Sequence, residues 1–266
     1  MKKVNLLTLL KKNYPEYSSD KLYSHILCGE VIADGGVIKN PKELFPENTP
    51  VVLTDRKFVS RGGFKLEKAL EHWKIDVKGK VVLDAGSSTG GFTDCLLQHG
   101  AACVYAVDSG SNQLDFKLRQ NPAVLVREKT NIMDVAPDDL EPQPDLAVCD
   151  LSFRSIVHAA SHILSLTREK KLIALVKPQF EERGLVPGFD GVIKREEDVR
   201  RVLAETERLL AEDNTYIADM IESPIQGTKG NREFLCIITD SVQYRYEIRR
   251  KNRNNALRRR YEESER

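Results

Sequence analysis

No run of 18 apolar residues occurs in the 266 residues, so no transmembrane helix is expected. The N-terminus, with lysines on both sides of a short apolar stretch, lacks the long apolar region and small-residue cleavage site of a secretory signal. Five cysteines are present, at wide spacings and with no C-x-x-C pair, which excludes a disulfide framework and gives no zinc site. Reduced thiols in a cytoplasmic protein fit this usage. No internal repeat or low-complexity block is visible. The five histidines are scattered, and none is assigned chemistry. Neither sign of charge is in excess, at 41 Lys/Arg against 40 Asp/Glu.

That balance hides an uneven distribution. Residues 1–60 carry a net charge of +2, residues 61–240 of −6, and residues 241–266 of +5. Basic flanks around an acidic middle point toward a polyanionic partner, with solvated tails as the simpler explanation. Residues 1–12 and 20–28 have helical periodicity, and Ser18-Ser19-Asp20 supplies an N-cap for the second helix. Short strands are expected over 30–33, near Val37 and over 50–54, with a turn at Asp34-Gly35-Gly36. Residues 1–56 thus read as a small α+β module and 57–60 as a linker.

From Lys80 onward, apolar strands alternate with helical stretches. Strands are expected over 80–84, 102–108, 123–127, 145–149, 171–176, 216–222 and 234–239. Most are continuous apolar runs, as in strands buried on both faces of a parallel sheet. The alternation predicts an α/β, Rossmann-like, seven-stranded sheet over 61–240. Residues 241–266 read as a basic tail.

The stretch from Val81 to Phe92 is a buried strand, a glycine-rich turn and a helix start. A dinucleotide fingerprint needs G-x-G-x-x-G. Here Gly86, Gly90 and Gly91 are present, and Ser88 stands where the second glycine belongs, which disfavours a nicotinamide oxidoreductase. S-adenosylmethionine has no pyrophosphate to seat, so a looser turn suffices. Asp84 is placed to serve its ammonium. Asp108, closing the second strand 24 residues after Asp84, is placed to accept ribose hydroxyls. The candidate cofactor contacts are therefore Asp84, Gly86, Ser88, Gly90, Phe92 and Asp108; an ordinary tight turn is the alternative.

Three further strand ends carry polar groups. Asp150 and Lys177 each follow a strand, and Glu233 opens the last one, which would share their edge if it ran antiparallel. Ligands of open α/β sheets sit at the carboxyl ends of the strands. A lysine directly after a buried strand needs carboxylates nearby, and a lysine so placed can take a proton from a hydroxyl. Structural ion pairing of Lys177 with Asp150 or Glu233 is the competing explanation. Lys65 lies in Ser60-Arg61-Gly62-Gly63-Phe64-Lys65-Leu66, before the first strand.

These segments, together with Lys177-Pro178-Gln179-Phe180-Glu181 and Gly230-Asn231-Arg232-Glu233-Phe234-Leu235, resemble the TlyA family, known both as haemolysin A and as rRNA 2′-O-methyltransferases. The resemblance covers roughly residues 1–240. It implies an FtsJ-like methyltransferase domain with a K-D-K-E tetrad at Lys65, Asp150, Lys177 and Glu233, Lys177 being the base. It further implies S-adenosylmethionine as cofactor, cytidines of ribosomal RNA or ribosomal subunits as targets, and an S4-like RNA-binding fold over 1–56. The chain departs from the family pattern at Asn5, Ser18-Ser19 and Asp34-Gly35, the second and third with less positive charge. Two other functions compete: a non-catalytic RNA-binding or ribosome-assembly protein, and a haemolysin-type membrane-active protein.

Overall fold

The computed structural model describes residues 3–54, 57–152 and 154–247. In the N-terminal unit, β1 (Lys3–Asn5) leads into α1 (Leu6–Asn13), then α2 (Ser19–Cys28), β2 (Val31–Ala33), β3 (Gly36–Val37), β4 (Leu44–Pro46) and β5 (Val51–Leu53). The Asn5 carboxamide accepts from the Thr8 N–H at 2.8 Å and the Ser18 hydroxyl from the Lys21 N–H at 3.2 Å, so both helices start at side-chain caps. Gly29, at φ +72°, ends α2 in the left-handed conformation. Asp34 and Gly35, both at positive φ, form the two-residue hairpin between β2 and β3. Leu6, Leu9 and Leu10, spaced along one helix face, meet Leu22, Ile26, Val31 and Phe45 in a core of their own.

The pairing of β1 with β4 was not anticipated from sequence. Both strands have three residues, too few to show alternation, and β1 merges with the apolar spacing of α1. Residues 57–60 are also no free linker. Phe58 is buried in the core of the larger unit, and the Val59 N–H donates to Asp94 at 2.8 Å.

The larger unit comprises α3 (Arg61–Trp73), β6 (Val81–Ala85), α4 (Gly91–Gln98), β7 (Cys103–Val107), α5 (Phe116–Arg119), β8 (Val124–Arg127), β9 (Leu146–Cys149), α6 (Ala160–Ser165), β10 (Lys171–Val176), α7 (Pro178–Glu181), α8 (Glu196–Glu212), β11 (Tyr216–Glu222) and β12 (Phe234–Thr239). The strands form one seven-stranded sheet in the order β11-β12-β10-β9-β6-β7-β8. All seven coincide with the apolar runs to within a residue. Successive residues point to opposite faces, and both faces are covered. Val82, Val104, Val148 and Ile173 pack beneath α3 and α4, while Leu83, Tyr105, Ala147 and Leu172 pack beneath α6 and α8.

Strand β12 alone runs against its neighbours, antiparallel to both β10 and β11. Val176 at the end of β10 therefore lies beside Phe234 at the start of β12. Ala85 pairs with Val107 and with Cys149. Gly86, Asp108, Asp150, Lys177 and Glu233 consequently project from one edge of the sheet. The start of the expected basic tail is folded instead: residues 242–247 are helical, Arg245 pairs with Glu207 at 2.5 Å, and the Lys171 ammonium lies over the Tyr244 ring. Residues 248–266 of that tail lie outside the described residues. Among the described residues no helix is long and apolar enough to cross a membrane.

Candidate active site

The turn after β6 is shaped by close backbone approach. Gly86 has φ +84°, and a Cβ there would lie 2.8 Å from the Asp150 carbonyl oxygen. Ser88, also left-handed at φ +49°, donates its N–H to Asp108 Oδ2 at 2.8 Å. The other oxygen, Oδ1, accepts from the Gly110 N–H at 2.7 Å. Asp108 thereby ties the loop after β7 to the loop after β6. Opposite, Glu128 accepts the N–H groups of Asn112, Gln113 and Leu114 and pairs with Arg119. Desolvation opposes ionisation there, but these four donors hold the Glu128 carboxyl down to about 2.

Between these loops lies a cavity of about 430 Å³, walled by Gly86, Ser88, Asp108, Gly110, Asn131 and Asp150 among others. A second cavity, of about 230 Å³, shares Gly86, Ser88 and Asp150 with it and adds Ser60, Arg61, Lys65 and Phe92. The two meet across the Gly86–Asp150 contact.

Two ion pairs stand at that junction. Lys177 Nζ is 2.5 Å from Asp150 Oδ1 and donates to the Leu151 carbonyl at 3.2 Å and the Ser152 hydroxyl at 3.3 Å. Lys65 Nζ donates to Glu233 Oε2 at 2.5 Å. Lys65, Lys177 and Glu233 are each at most 9% exposed. Four charges are thus neutralised in two pairs, and one member of each, Lys65 and Asp150, lines the smaller cavity. Glu233 is wedged against the loop before β12, where a Cβ on Gly227 would lie 2.2 Å from Glu233 Oε1.

Beneath the turn, Asp84 is fully buried. Its Oδ2 accepts from the Thr93 hydroxyl at 2.6 Å, and Oδ1 has no hydrogen-bond partner among the described residues. Burial, with Asp150 and Asp108 adding and Thr93 opposing, pushes its carboxyl up to about 7.

The family model described as FtsJ-like methyltransferase matches residues 58–239. The chain belongs to the FtsJ-like methyltransferase family. Among curated relatives it is 38% identical over 211 residues to the 16S/23S rRNA (cytidine-2′-O)-methyltransferase TlyA of Mycobacterium tuberculosis, covering 78% of this chain and 79% of that one. It is 39% identical over 232 residues to Hemolysin A of Brachyspira hyodysenteriae, covering 82% and 92%. A solved structure of a candidate hemolysin from Streptococcus thermophilus superposes with a TM-score of 0.68 at 30% identity, covering 97% of this chain and 99% of that one.

In this FtsJ-like framework the residues selected from sequence fall into different positions. Asp108 lines the larger cavity, Lys65 and Phe92 the smaller, and Gly86, Ser88 and Asp150 both. Lys177, Glu233 and Asp84 sit one layer behind, reaching the walls through their partners. Gly90 lines neither; its missing side chain makes room for Leu118 and Leu114, which a Cβ would meet at 2.3 and 2.7 Å. Unanticipated wall residues include Gly110, Asn131, Arg154 and, from the N-terminal unit, Ser24. Asn131 follows the β8 strand and Gly110 follows Asp108, so a search for polar or small residues after every strand would have found both. Nothing in the sequence marks Ser24.

Proposed function

We propose that the chain transfers a methyl group from S-adenosylmethionine to a ribose 2′-hydroxyl of ribosomal RNA, cytidine being the target nucleoside. The observation that carries this reading is the pair of buried lysine–carboxylate contacts at the junction of two cavities. One cavity suits a nucleoside cofactor and the other opens beside Lys65.

The residues present fit the cofactor. Asp84, Asp108 and Asp150 converge on the turn, and only Asp150 has a lysine partner. A ligand carrying an ammonium and a sulfonium balances the excess negative charge, to which Asp84, buried under the turn with Oδ1 unpaired, adds from behind the cavity walls. Asp108 would serve the ribose, and Gly86 and Ser88 would admit the amino-acid portion against backbone. When bound, S-adenosylmethionine supplies the electrophilic methyl.

The Lys177 amine, its ammonium proton having passed to solvent, would take the proton of the 2′-hydroxyl as that oxygen bonds the methyl and the methyl–sulfur bond breaks, and Asp150 would stabilise the ammonium that results. The Lys65–Glu233 pair fixes the ribose on its other side. Orientation of the hydroxyl contributes alongside base catalysis. In this reading the N-terminal unit is an S4-like module that engages RNA, and the protein acts in the cytoplasm, where its substrate is. No observation on the described residues favours membrane lysis.

Arginine cannot give up its proton but keeps the charge. Single-turnover methyl transfer by Lys177→Arg on saturating ribosomal RNA should therefore fall by about 10²–10⁴-fold with the fold and cofactor affinity kept. Near-wild-type transfer would leave Lys177 as a counter-ion of Asp150 and remove it as the base.

A further inference from the structure

The smaller cavity is not closed by the methyltransferase unit alone. Ser24 of α2 lines it together with Lys65, Gly86 and Asp150. The residue before, Tyr23, and the one a turn later, Leu27, line a neighbouring cavity of about 330 Å³. Its other walls are Lys39 and the loop from Pro224 to Gly230, the same loop whose Gly227 abuts Glu233 of the catalytic pairs. One helix of the N-terminal unit thus borders both spaces, and one loop joins the second space to the catalytic glutamate.

The chemistry of this trough is that of a single-stranded nucleic acid site. No carboxylate lines it; Glu67 and Glu71 line the adjoining cavity, which shares Leu27, Lys39, Pro224 and Ile225 with it. Tyr23, a wall residue of the trough, is 41% exposed and makes no ring contact among the described residues. Lys39 makes no ion pair among the described residues. Its side chain is laid across Gly29, where a Cβ would collide with Lys39 Cε at 2.7 Å. Leu27, Pro224 and Ile225 supply an apolar floor. The volume is at the lower end of the range for small-ligand cavities, suiting one nucleoside rather than a duplex. Aromatic stacking with a nearby cation is the usual way to hold an unpaired base and its phosphate.

We propose that this trough is a subsite for a nucleotide flanking the methylated one. Tyr23 stacks on its base, Lys39 contacts its phosphate, and α2 thereby sets which ribose reaches Lys177. The proposal rests on the reading of the chain as an RNA ribose methyltransferase. It assigns to the N-terminal unit a role in selecting the target as well as in general affinity.

The test is steady-state methyl transfer to unmodified 16S and 23S rRNA transcripts, followed by transfer to a short single-stranded oligonucleotide around the nucleotide that the wild-type protein methylates. Tyr23→Ala and Lys39→Ala should raise KM by roughly five- to thirty-fold while changing kcat much less. Tyr23→Phe and Lys39→Arg should restore wild-type KM, and Lys42→Ala, an exposed lysine of the same unit outside the trough, should leave it unaltered. Lys39→Ala should also lower the salt slope of RNA binding by about 0.7. An abasic site at the flanking nucleotide should raise the wild-type KM and add nothing to Tyr23→Ala. An active wild-type protein with variants of unchanged KM, or with losses confined to kcat, overturns the subsite. A wild-type protein that methylates no RNA overturns the proposed function itself.

Discussion

Asp84 is the residue whose setting has the clearest consequence in solution. Its ordinary carboxyl value, 3.8, is pushed up to about 7, first by burial. An acid raised in the folded state binds more protons there than in the unfolded chain over that interval, so stability falls as pH rises through it. The unfolding free energy of the cofactor-free protein should decline between about pH 4 and pH 7, and Asp84→Asn should flatten the decline. A cation beside Oδ1 favours the ionised form, so S-adenosylmethionine affinity should rise with pH through about 7, with release of a proton. Calorimetry in buffers of different ionisation enthalpy reads that proton directly. Affinity independent of pH, with no proton released, would dissociate Asp84 from the cofactor. The sequence placed Asp84 at the end of a strand; that it would be sealed under the turn, with one oxygen left over, depends on Thr93 and Asp150, which no local pattern couples to it.

At the scale of elements, the site depends on how closely α3 and α4 approach. A Cβ on Gly91 would lie 2.2 Å from the Ser60 hydroxyl and 2.9 Å from the Gly63 nitrogen, so the two helix starts touch backbone to backbone. One turn further along α3, Lys65 reaches Glu233. Gly91→Ala should force the helices apart, lowering stability by about 1–3 kcal/mol and reducing methyl transfer. At Gly62 the nearest atom to a Cβ is 3.4 Å away, so Gly62→Ala should cost nothing or raise the melting temperature slightly. Equal melting temperatures for the two variants would refute the close approach. Phe58, 1% exposed, packs on the same helix, and Phe58→Ala should cost the larger unit about 3–5 kcal/mol. The seven strands were legible because a strand buried on both faces leaves an unbroken apolar run. Asp150 and Lys177 were placed at one edge because each follows such a run, and Glu233 because its strand runs antiparallel; Lys65, on α3, came only from the family resemblance. Residues 57–60 misled because four residues carry no periodicity, and the pocket that receives Phe58 is made by distant segments. Ser24 stayed hidden for the same reason, since its role comes from the docking of one unit on another.

At the scale of the whole molecule, the two ends of β10 differ in what they carry. Lys177 follows the carboxyl end of β10, whereas Lys171, at its amino end, carries the Tyr244 ring. Six strand residues separate them by ~20 Å. The basic segment 248–266 lies outside the described residues, and it carries the chain's densest positive charge, net +5. Positive charge outside the lysine–carboxylate pairs can add affinity through phosphates without touching chemistry. Removing residues 248–266 should leave single-turnover transfer at saturating RNA unchanged, weaken RNA binding, and reduce the slope of log affinity against log salt by roughly 0.7–0.9 for each phosphate the segment neutralises. The described helix at 242–247 stays in such a variant, so the ion pair of Arg245 with Glu207 is kept and a change in stability cannot imitate the effect. An unaltered salt slope would show the segment to be solvated only, and a loss of single-turnover rate would bring it to the catalytic edge after all.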